Sequence, residues 1–173
     1  MVYVDNCLRG ASLRKKVKIA ASGKIVSAYD IARICALGAD WCKMARPFMF
    51  SLGCIQDRDC SSGHCPTGIA TMDPLRYRVT DLKDRATRVY NFQKNTRYAL
   101  KELLEAAGLN HPSDLTRRHI VRRLSASKIK LAERICPNVE NFALSNNGRI
   151  NDPRISSYWE RVDKASFSPT TNC

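Results

Sequence analysis

The sequence predicts an α/β fold, because it contains one strand–helix–strand unit and one long helix that needs a sheet to cover. Residues 17–22 and 39–45 are short apolar, β-prone runs, and a helical pattern lies between them. Strand, helix and strand with short links are typical of a βαβ unit with parallel strands. Parallel pairs need further strands beside them and helices on both faces. We therefore expect this unit to belong to a larger sheet than the sequence itself supplies.

The helix of this unit has clear start and stop signals. Ser27 precedes it, and Asp30 follows three residues later, which is a capping-box arrangement. Gly38 stands where a left-handed C-terminal cap is expected. The apolar residues at helical spacing are Ile31, Ile34, Cys35 and Leu37.

Two further helices are predicted downstream, separated by a turn-rich segment. Residues 46–52 read as a short helix that leaves the second strand directly, and residues 53–73 are rich in turn-forming residues. Residues 81–107 are the longest predicted helix, and Gly108 stops it. Its length suits an outer helix of a large α/β barrel. Its apolar face is formed by Val89, Phe92, Thr96, Leu100, Leu103 and Leu104.

The chain is strongly basic, with 29 Lys and Arg against 16 Asp and Glu. Such an excess suggests contact with a polyanion. Much of it lies in one stretch that we interpret as an amphipathic helix with a solvated basic face. No aromatic residue for base stacking interrupts that stretch, so a solvated or partner-facing surface is favoured over a nucleic-acid site. Its basic residues are Arg117, Arg118, Arg122, Arg123, Lys128, Lys130 and Arg134.

Composition also predicts a cytoplasmic location. No apolar run approaches the roughly 20 residues of a membrane span, and the first ten residues lack the pattern of a signal peptide. In a reducing compartment, the eight cysteines are better explained as ligands, nucleophiles or buried residues than as disulfides. Cys35 and Cys42 stand in apolar patterns that suit burial.

The two strand ends predict a phosphate site. Ser22 ends the first strand, Gly23 and Lys24 follow it, and Arg46 opens the short helix after the second strand. A glycine turn exposes backbone N–H groups, and a helix N-terminus adds its positive dipole end. In (β/α)₈ barrels, the loops after the last two strands commonly bind phosphate in this way. The recurrence of such a loop about twenty residues later favours this interpretation over a plain turn.

Three clustered cysteines predict a metal centre. Cys54, Cys60 and Cys65 lie within twelve residues, and Pro66 follows the last of them. Iron–sulfur clusters take thiolates from loops of this kind, and three thiolates favour a three-iron cluster or a missing fourth ligand. Zinc is the rival, with His64 as its fourth ligand, but zinc ligands are usually paired two to four residues apart. The spacing favours iron–sulfur over zinc, and either metal over structural thiols. No catalytic residue is assigned, because no Ser-His-Asp or paired-carboxylate set is present.

At this point the sequence resembles a known family. The stretch ASGKIVSAYDIARICALGADWCKMARPFMFSLGCIQDRDCSSGHCPTGIATMDPLRYR is similar to the C-terminal half of the FMN-binding synthase domain of glutamate synthases. The most specific part is GCIQ, three residues, C, four residues and CPTGIAT, which resembles the family's three-iron cluster signature. Hydroxyacid oxidases share the phosphate loops but lack this cysteine loop.

The resemblance implies specific roles and a fold. Cys54, Cys60 and Cys65 match the ligands of a [3Fe-4S] cluster. The two loops that match the FMN phosphate site are Ser22, Gly23 and Lys24, and Met44, Ala45 and Arg46. The implied fold is the C-terminal part of a (β/α)₈ TIM barrel, namely its last two strand–helix units with the iron–sulfur loop. Residues 1–125 would form this portion, and residues 126–173 an irregular helical tail.

The reaction implied is the reduction of 2-iminoglutarate, formed from 2-oxoglutarate and ammonia or glutamine nitrogen, to L-glutamate. A complete barrel takes about 250 residues, so we expect the partners to include the rest of the barrel or a glutaminase or electron-donor subunit. We also expect this chain to be inactive by itself. Two alternatives remain open at this stage: a small basic zinc- or iron-binding module that contacts nucleic acid, and a truncated product with no stable fold.

Overall fold

The computed structural model describes residues 1–78, 81–144, 152–163, 165–166 and 168. These residues form an α/β structure of short strands and helices of unequal length. The chain divides into two compact units, which are described separately below. The first contains residues 1–21, 35–41 and 115–173, and the second contains residues 22–34 and 42–114.

The elements follow one another in a fixed order along the chain. The helices are α1 (Val2–Gly10), α2 (Ala28–Ala36), α3 (Arg46–Ser51), α4 (Pro74–Tyr77), α5 (Leu82–Ala106), α6 (Ala132–Ile135) and α7 (Pro153–Trp159). The strands are β1 (Ala20–Ser22), β2 (Trp41–Lys43), β3 (Val121–Arg123) and β4 (Ile129–Leu131). Two short 3₁₀ turns cover Pro112–Asp114 and Arg117–His119.

The predicted strand–helix–strand unit is present. β1 and β2 are hydrogen-bonded neighbours in a two-stranded sheet, and α2 connects them. Both strands are shorter than predicted. The capping box is confirmed: the Ser27 N–H donates to Asp30 Oδ2 at 3.1 Å, and the Asp30 N–H donates to Ser27 Oγ at 3.3 Å. Gly38 ends the turn after α2 with a φ of +111°, as the C-terminal cap requires.

In the second unit, α5 is the dominant element and confirms the predicted long helix. The Asp81 carboxylate caps it by accepting from the N–H groups of Lys83 and Asp84 at 2.9 and 3.2 Å. Gly108 ends it with a φ of +70°. On its predicted apolar face Leu104 is buried, whereas Leu103 is 37% exposed. Helix α4 was not predicted.

A buried polar cluster organises the first unit. The side chain of Asp5 is fully buried and accepts from Arg9 Nε at 2.8 Å, Arg14 Nε at 2.7 Å and Arg117 Nη2 at 2.9 Å. Arg117 also donates to Asn6 Oδ1 at 2.9 Å. Burial lowers the pKa of Arg117, and the Asp5 carboxylate acts in the opposite direction. The cluster thus joins α1 to a segment more than a hundred residues away.

Gly38 approaches this cluster closely. A Cβ added at Gly38 would lie 2.6 Å from Cγ of Asp5, which is too close for any other residue. Arg14 Nη2 donates to the Gly38 carbonyl oxygen at 3.0 Å and pairs with Asp40 at 2.9 Å. Gly38 is therefore required both for its positive φ and for this contact.

The predicted basic helix is wrong. Residues 121–131 form an antiparallel hairpin, in which Val121 pairs with Leu131 and Arg123 with Ile129. Arg117 was expected on a solvated face, but only 2% of it is exposed, because it pairs with Asp5. The physical reason for the hairpin is local: the run from Lys128 to Leu131 alternates basic and apolar residues with a period of two, which is a strand pattern. The basic residues of the hairpin itself are exposed, as predicted.

The C-terminal tail is described only in part. Helix α7 lies within it, while residues 145–151, 164, 167 and 169–173 are outside the described residues. The boundary between residues 125 and 126 stays a prediction. None of the helices in the described part of the chain is both long and apolar enough to cross a membrane.

Candidate functional site

The two predicted phosphate loops lie at one cleft in the second unit. This cleft of about 140 Å³ is lined by Ser22, Gly23, Lys24, Ile25, Val26, Lys43, Ala45 and Arg46. Five of the six residues predicted for the site are therefore brought together. Met44 is the exception, since it does not line the cleft. Lys43 was missed, although its position as the last residue of β2 is the signal that would have found it.

The backbone of the first loop is open towards solvent. Gly23 has a φ of +101° and Lys24 has a φ of +54°. A Cβ added at Gly23 would meet no atom within 4 Å. Gly23 is thus needed for its conformation, and the space beside it is free for a ligand. Three cationic side chains, Lys24, Lys43 and Arg46, line the same cleft, so its charge suits a phosphate group.

The cysteine loop begins directly at the end of α3. The Gly53 N–H donates to the carbonyl oxygen of Phe50 at 2.8 Å, and the Cys54 N–H donates to that of Met49 at 3.0 Å. Cys54 is half-buried. These bonds extend the end of the helix and fix the backbone of the first predicted ligand.

Cys65 lies in a polar pocket that favours its thiolate. Only 9% of the residue is exposed, and its Sγ is 3.5 Å from the hydroxyl oxygen of Thr67. Hydrogen bonding from Thr67 Oγ1 and from the backbone N–H groups of Ala70, Ile69 and Thr67 lowers the Cys65 pKa to about 7, against the opposing effect of burial. A thiolate is the form that binds metal. The surroundings of Cys65 therefore fit a thiolate ligand.

Cys60 lies on the open side of the loop. It is exposed, and Gln56 and Arg58 before it have positive φ values of 63° and 68°. The hydrogen bonds of residues 55–62 in the described structure are local, such as the one from Ser62 Oγ to the Asp59 carbonyl oxygen at 3.2 Å. In the described part of the chain, no three His, Cys, Asp or Glu side chains are grouped so that they could hold a metal ion. The ligand set of Cys54, Cys60 and Cys65 stays a prediction.

Other residues of the loop have the roles expected of turns and caps. His64 Nδ1 lies 3.3 Å from Ser62 Oγ. Asp73 caps α4 by accepting from the Leu75 N–H at 3.0 Å. Arginines from α4 and α5 line a second cleft, of about 380 Å³, beside the loop. Arg76 and Arg85 donate to backbone carbonyl oxygens 12 and 18 residues away, which no local pattern marks. Arg88 instead pairs with Asp84, four residues before it.

Comparison with known proteins now identifies the family. A family profile described as the conserved region in glutamate synthase matches residues 1–110. The chain belongs to the glutamate synthase family. The matched residues include both predicted phosphate loops, all three clustered cysteines and α5, so the resemblance to the glutamate synthase family is confirmed.

Individual relatives agree with this family. The chain is 40% identical over 120 residues to the glutamate synthase large subunit-like protein YerD of Bacillus subtilis. This alignment covers 69% of the chain and 23% of YerD. It is 40% identical over 107 residues to an archaeal glutamate synthase [NADPH] of Methanocaldococcus jannaschii, covering 62% of this chain and 21% of that protein. A glutamate synthase [NADH] of Schizosaccharomyces pombe is 32% identical over 124 residues. The chain thus spans less than a quarter of the length of these curated relatives.

Proposed function

We propose that this chain is the closing part of an FMN- and iron–sulfur-dependent glutamate synthase barrel. In the complete enzyme, the barrel reduces 2-iminoglutarate, formed from 2-oxoglutarate and ammonia, to L-glutamate. The nitrogen is supplied as ammonia or by glutamine. The observation that carries this proposal is the meeting of the two loops at one basic cleft, within a chain of this family.

In this proposal, the cleft binds the phosphate end of the flavin. Gly23 leaves its backbone accessible, since nothing lies within 4 Å of where a side chain would begin. Lys24, Lys43 and Arg46 supply positive charge to the cleft. Phosphate contacts hold and orient a cofactor, while its reactive ring is positioned by other parts of the protein. The other parts of the barrel would supply those ring contacts.

The cysteine loop holds the [3Fe-4S] cluster in this proposal. Cys65 is already surrounded by donors that stabilise its thiolate, and the backbone of Cys54 is fixed to α3. Cys60 lies on the exposed side, where it can approach the other two without loss of long-range contacts. When both groups are bound, the cluster carries single electrons and the flavin supplies two-electron chemistry.

The isolated chain is not the complete catalyst in this proposal. Its partners are the rest of the barrel and a glutaminase or electron-donor subunit. Trp41, the first residue of β2, is 48% exposed, where neighbouring elements of a barrel would cover it. The 173 residues alone should therefore show no glutamate formation.

A chimera tests the reaction. Residues 1–110 of this chain, which the family profile matches, would replace the corresponding stretch of the Methanocaldococcus jannaschii relative, followed by reconstitution with iron, sulfide and FMN. We expect glutamate formation from 2-oxoglutarate and ammonia with a chemical reductant. A matched chimera with Lys24→Glu and Arg46→Glu should lose FMN. A folded, reconstituted chimera without turnover would refute the assignment.

Metal analysis of the full chain separates this proposal from the alternative of a small basic module. Bound iron and a brown colour would support the cluster. Loss of both in Cys65→Ser would place the cluster at the cysteine loop. Zinc with salt-sensitive binding to polyanions would instead support a nucleic-acid module. The exposed basic hairpin makes that second outcome worth measuring.

A further inference from the structure

Two arginines outside the cysteine loop contact the backbone on either side of Cys65. Arg76 Nη1 donates to the carbonyl oxygen of His64 at 3.0 Å. Arg85 Nη2 donates to the carbonyl oxygen of Thr67 at 2.7 Å. These acceptors belong to the residue before Cys65 and to the second residue after it. Hydrogen bonds from charged donors are roughly twice as strong as neutral ones. The peptide that carries Cys65 is thus bonded on both sides, by Arg76 at the surface and by Arg85 in a part-buried position.

Both arginines are themselves fixed by capped helices. Arg76 lies in α4 and pairs through Nε with Asp73 Oδ2 at 3.2 Å. Asp73 is also the N-cap of α4, so one carboxylate fixes both the helix and the arginine. Arg85 lies in the first turn of α5, and its own N–H donates to the carbonyl oxygen of Asp81, the N-cap residue, at 3.1 Å. The donors therefore project from well-defined backbone positions.

Helix α5 also supports the other end of the loop. The ring of Phe92 packs edge-on against Phe48 of α3, with centroids 5.1 Å apart and planes at 87°. Helix α3 leads into Cys54, whose N–H is bonded to Met49. One helix thus contacts both the element before Cys54 and, through Arg85, the segment after Cys65.

Arg88 provides a matched comparison within the same cleft. It lines the cleft together with Arg76 and Arg85, but it pairs with Asp84 on the surface of α5 at 2.8 Å and its side chain is 56% exposed. Its bond joins two residues of one helix, whereas the other two arginines join different segments. A substitution at Arg88 removes the same charge from the same cleft but leaves the two hydrogen bonds on either side of Cys65 in place.

We propose that Arg76 and Arg85 are positioning residues, which hold the Cys65 backbone so that its sulfur is presented to the iron–sulfur cluster. This proposal rests on the proposed function, since it assumes that Cys65 is a cluster ligand. The arginines act through the carbonyl groups of His64 and Thr67 and do not touch the cluster themselves. A third contact supports the same segment, because the Thr71 hydroxyl donates to the carbonyl oxygen of Gly63.

The test uses the full chain and four variants: Arg76→Gln, Arg85→Gln, Arg85→Lys and the control Arg88→Gln. The first measurement is the rate at which iodoacetamide alkylates Cys65 in the iron-free chain, relative to Cys7 in the same sample, by peptide mass spectrometry. The second is the iron content and electron paramagnetic resonance spectrum after anaerobic reconstitution with ferrous iron and sulfide. Thermal melts report whether each variant is folded.

We expect Arg76→Gln and Arg85→Gln to alkylate Cys65 about five to ten times faster, because local opening of the segment becomes more frequent. Both should also retain less iron and broaden the spectrum. Arg88→Gln should stay within about twofold of wild type, and Arg85→Lys should recover most of the loss, since it keeps a charged donor. If Arg85→Lys behaves like Arg85→Gln, or if Arg88→Gln matches the other two, the positioning role is refuted.

The two proposals can fail separately. If the wild-type chain takes up no iron, the cluster assignment fails, while the alkylation rates still decide whether Arg76 and Arg85 hold Cys65. If the wild-type chain forms the cluster and all four variants form it equally well with unchanged alkylation, the positioning role fails alone.

Discussion

The Asp5 cluster and the Cys65 segment are both held by arginine side chains, but the first is buried and the second lies near the surface. In both, arginine side chains donate to oxygen atoms of distant segments. Asp5 is fully buried and Arg117 is 2% exposed, whereas the Arg76 side chain is 38% exposed. Removing one partner from a buried ion pair leaves an uncompensated charge, but water can replace a partner at the surface.

This difference separates what holds the fold from what shapes the site. The Asp5 cluster binds α1 to the region around Arg117, and its carboxylate is fully buried. The arginines that contact the Cys65 segment are less buried, so these contacts can orient the Cys65 thiol while contributing little to the stability of the fold. We therefore expect the cost of substitution to follow burial, and the effect on thiol chemistry to follow proximity to Cys65.

The largest expected effect is that of Asp5→Asn. The substitution keeps the shape of the side chain but leaves Arg117 buried without a carboxylate, and breaking a buried pair in this way costs about 3–5 kcal/mol. Urea unfolding of the full chain measures the change in free energy of unfolding. A larger residue at position 38 cannot fill in for the lost interaction, because Gly38 already packs against the side chain at position 5.

Asp40→Asn is the matched control for this prediction. Asp40 also pairs with Arg14, but its side chain is 20% exposed, so water can replace part of the interaction. We expect a loss of about 1 kcal/mol. Equal losses for the two variants would mean that the deeper burial of Asp5 does not distinguish it from the partly exposed Asp40.

The second effect concerns Asp73→Ala, which removes the cap of α4 and the partner of Arg76 together. Loss of an N-cap costs about 0.5–2 kcal/mol, so we expect a loss in the free energy of unfolding of about that size. Asp59→Ala, in the exposed part of the same loop, should change stability by less than about 0.5 kcal/mol. A loss at Asp59 as large as that at Asp73 would contradict the division of the loop into a held and an open part.

Local features of the sequence predicted the elements around the site. The capping box of Ser27 and Asp30 and the stop at Gly108 are signals within a few residues, and the structure follows both of them. The glycine turn at Gly23 was also predicted from adjacent residues, and the structure gives it a φ of +101°. Such interactions are readable because both partners lie in one short window.

Contacts between distant residues were not readable. Arg117 pairs with Asp5, which is 112 residues away in the sequence. No residue near Arg117 in the sequence indicates that it would meet a buried carboxylate. The acceptors of Arg76 and Arg85 are backbone carbonyls, which no side-chain pattern marks. The hairpin was missed for another reason: the mixture of basic and apolar residues was interpreted as an amphipathic helix, although the alternation from Lys128 to Leu131 indicated a strand.

The smallest expected effect is a difference in titration between two thiols. Hydrogen bonding from Thr67 and from the N–H groups of Ala70 and Ile69 lowers the Cys65 pKa to about 7, whereas burial and the charge of Asp152 raise the pKa of Cys7. Only the thiolate reacts with iodoacetamide. In the iron-free chain, the alkylation rate of Cys65 should therefore reach half its maximum near pH 7. The rate of Cys7 should reach half its maximum at a pH above 9.0, the ordinary pKa of a cysteine thiol.

The same shift predicts how stability depends on pH. Since the Cys65 pKa is lower in the folded chain than the ordinary value of 9.0, its thiolate stabilises the fold at high pH, and this contribution is lost as the pH falls through 7. The difference in free energy of unfolding between wild type and Cys65→Ser should thus grow as the pH rises from 7 to 9.

Thr67→Val removes the side-chain hydrogen bond that contributes most to lowering the Cys65 pKa. It should raise the pH at which the alkylation rate of Cys65 is half its maximum and leave that of Cys7 unchanged. An unchanged midpoint at Cys65 would show that its pocket does not stabilise the thiolate.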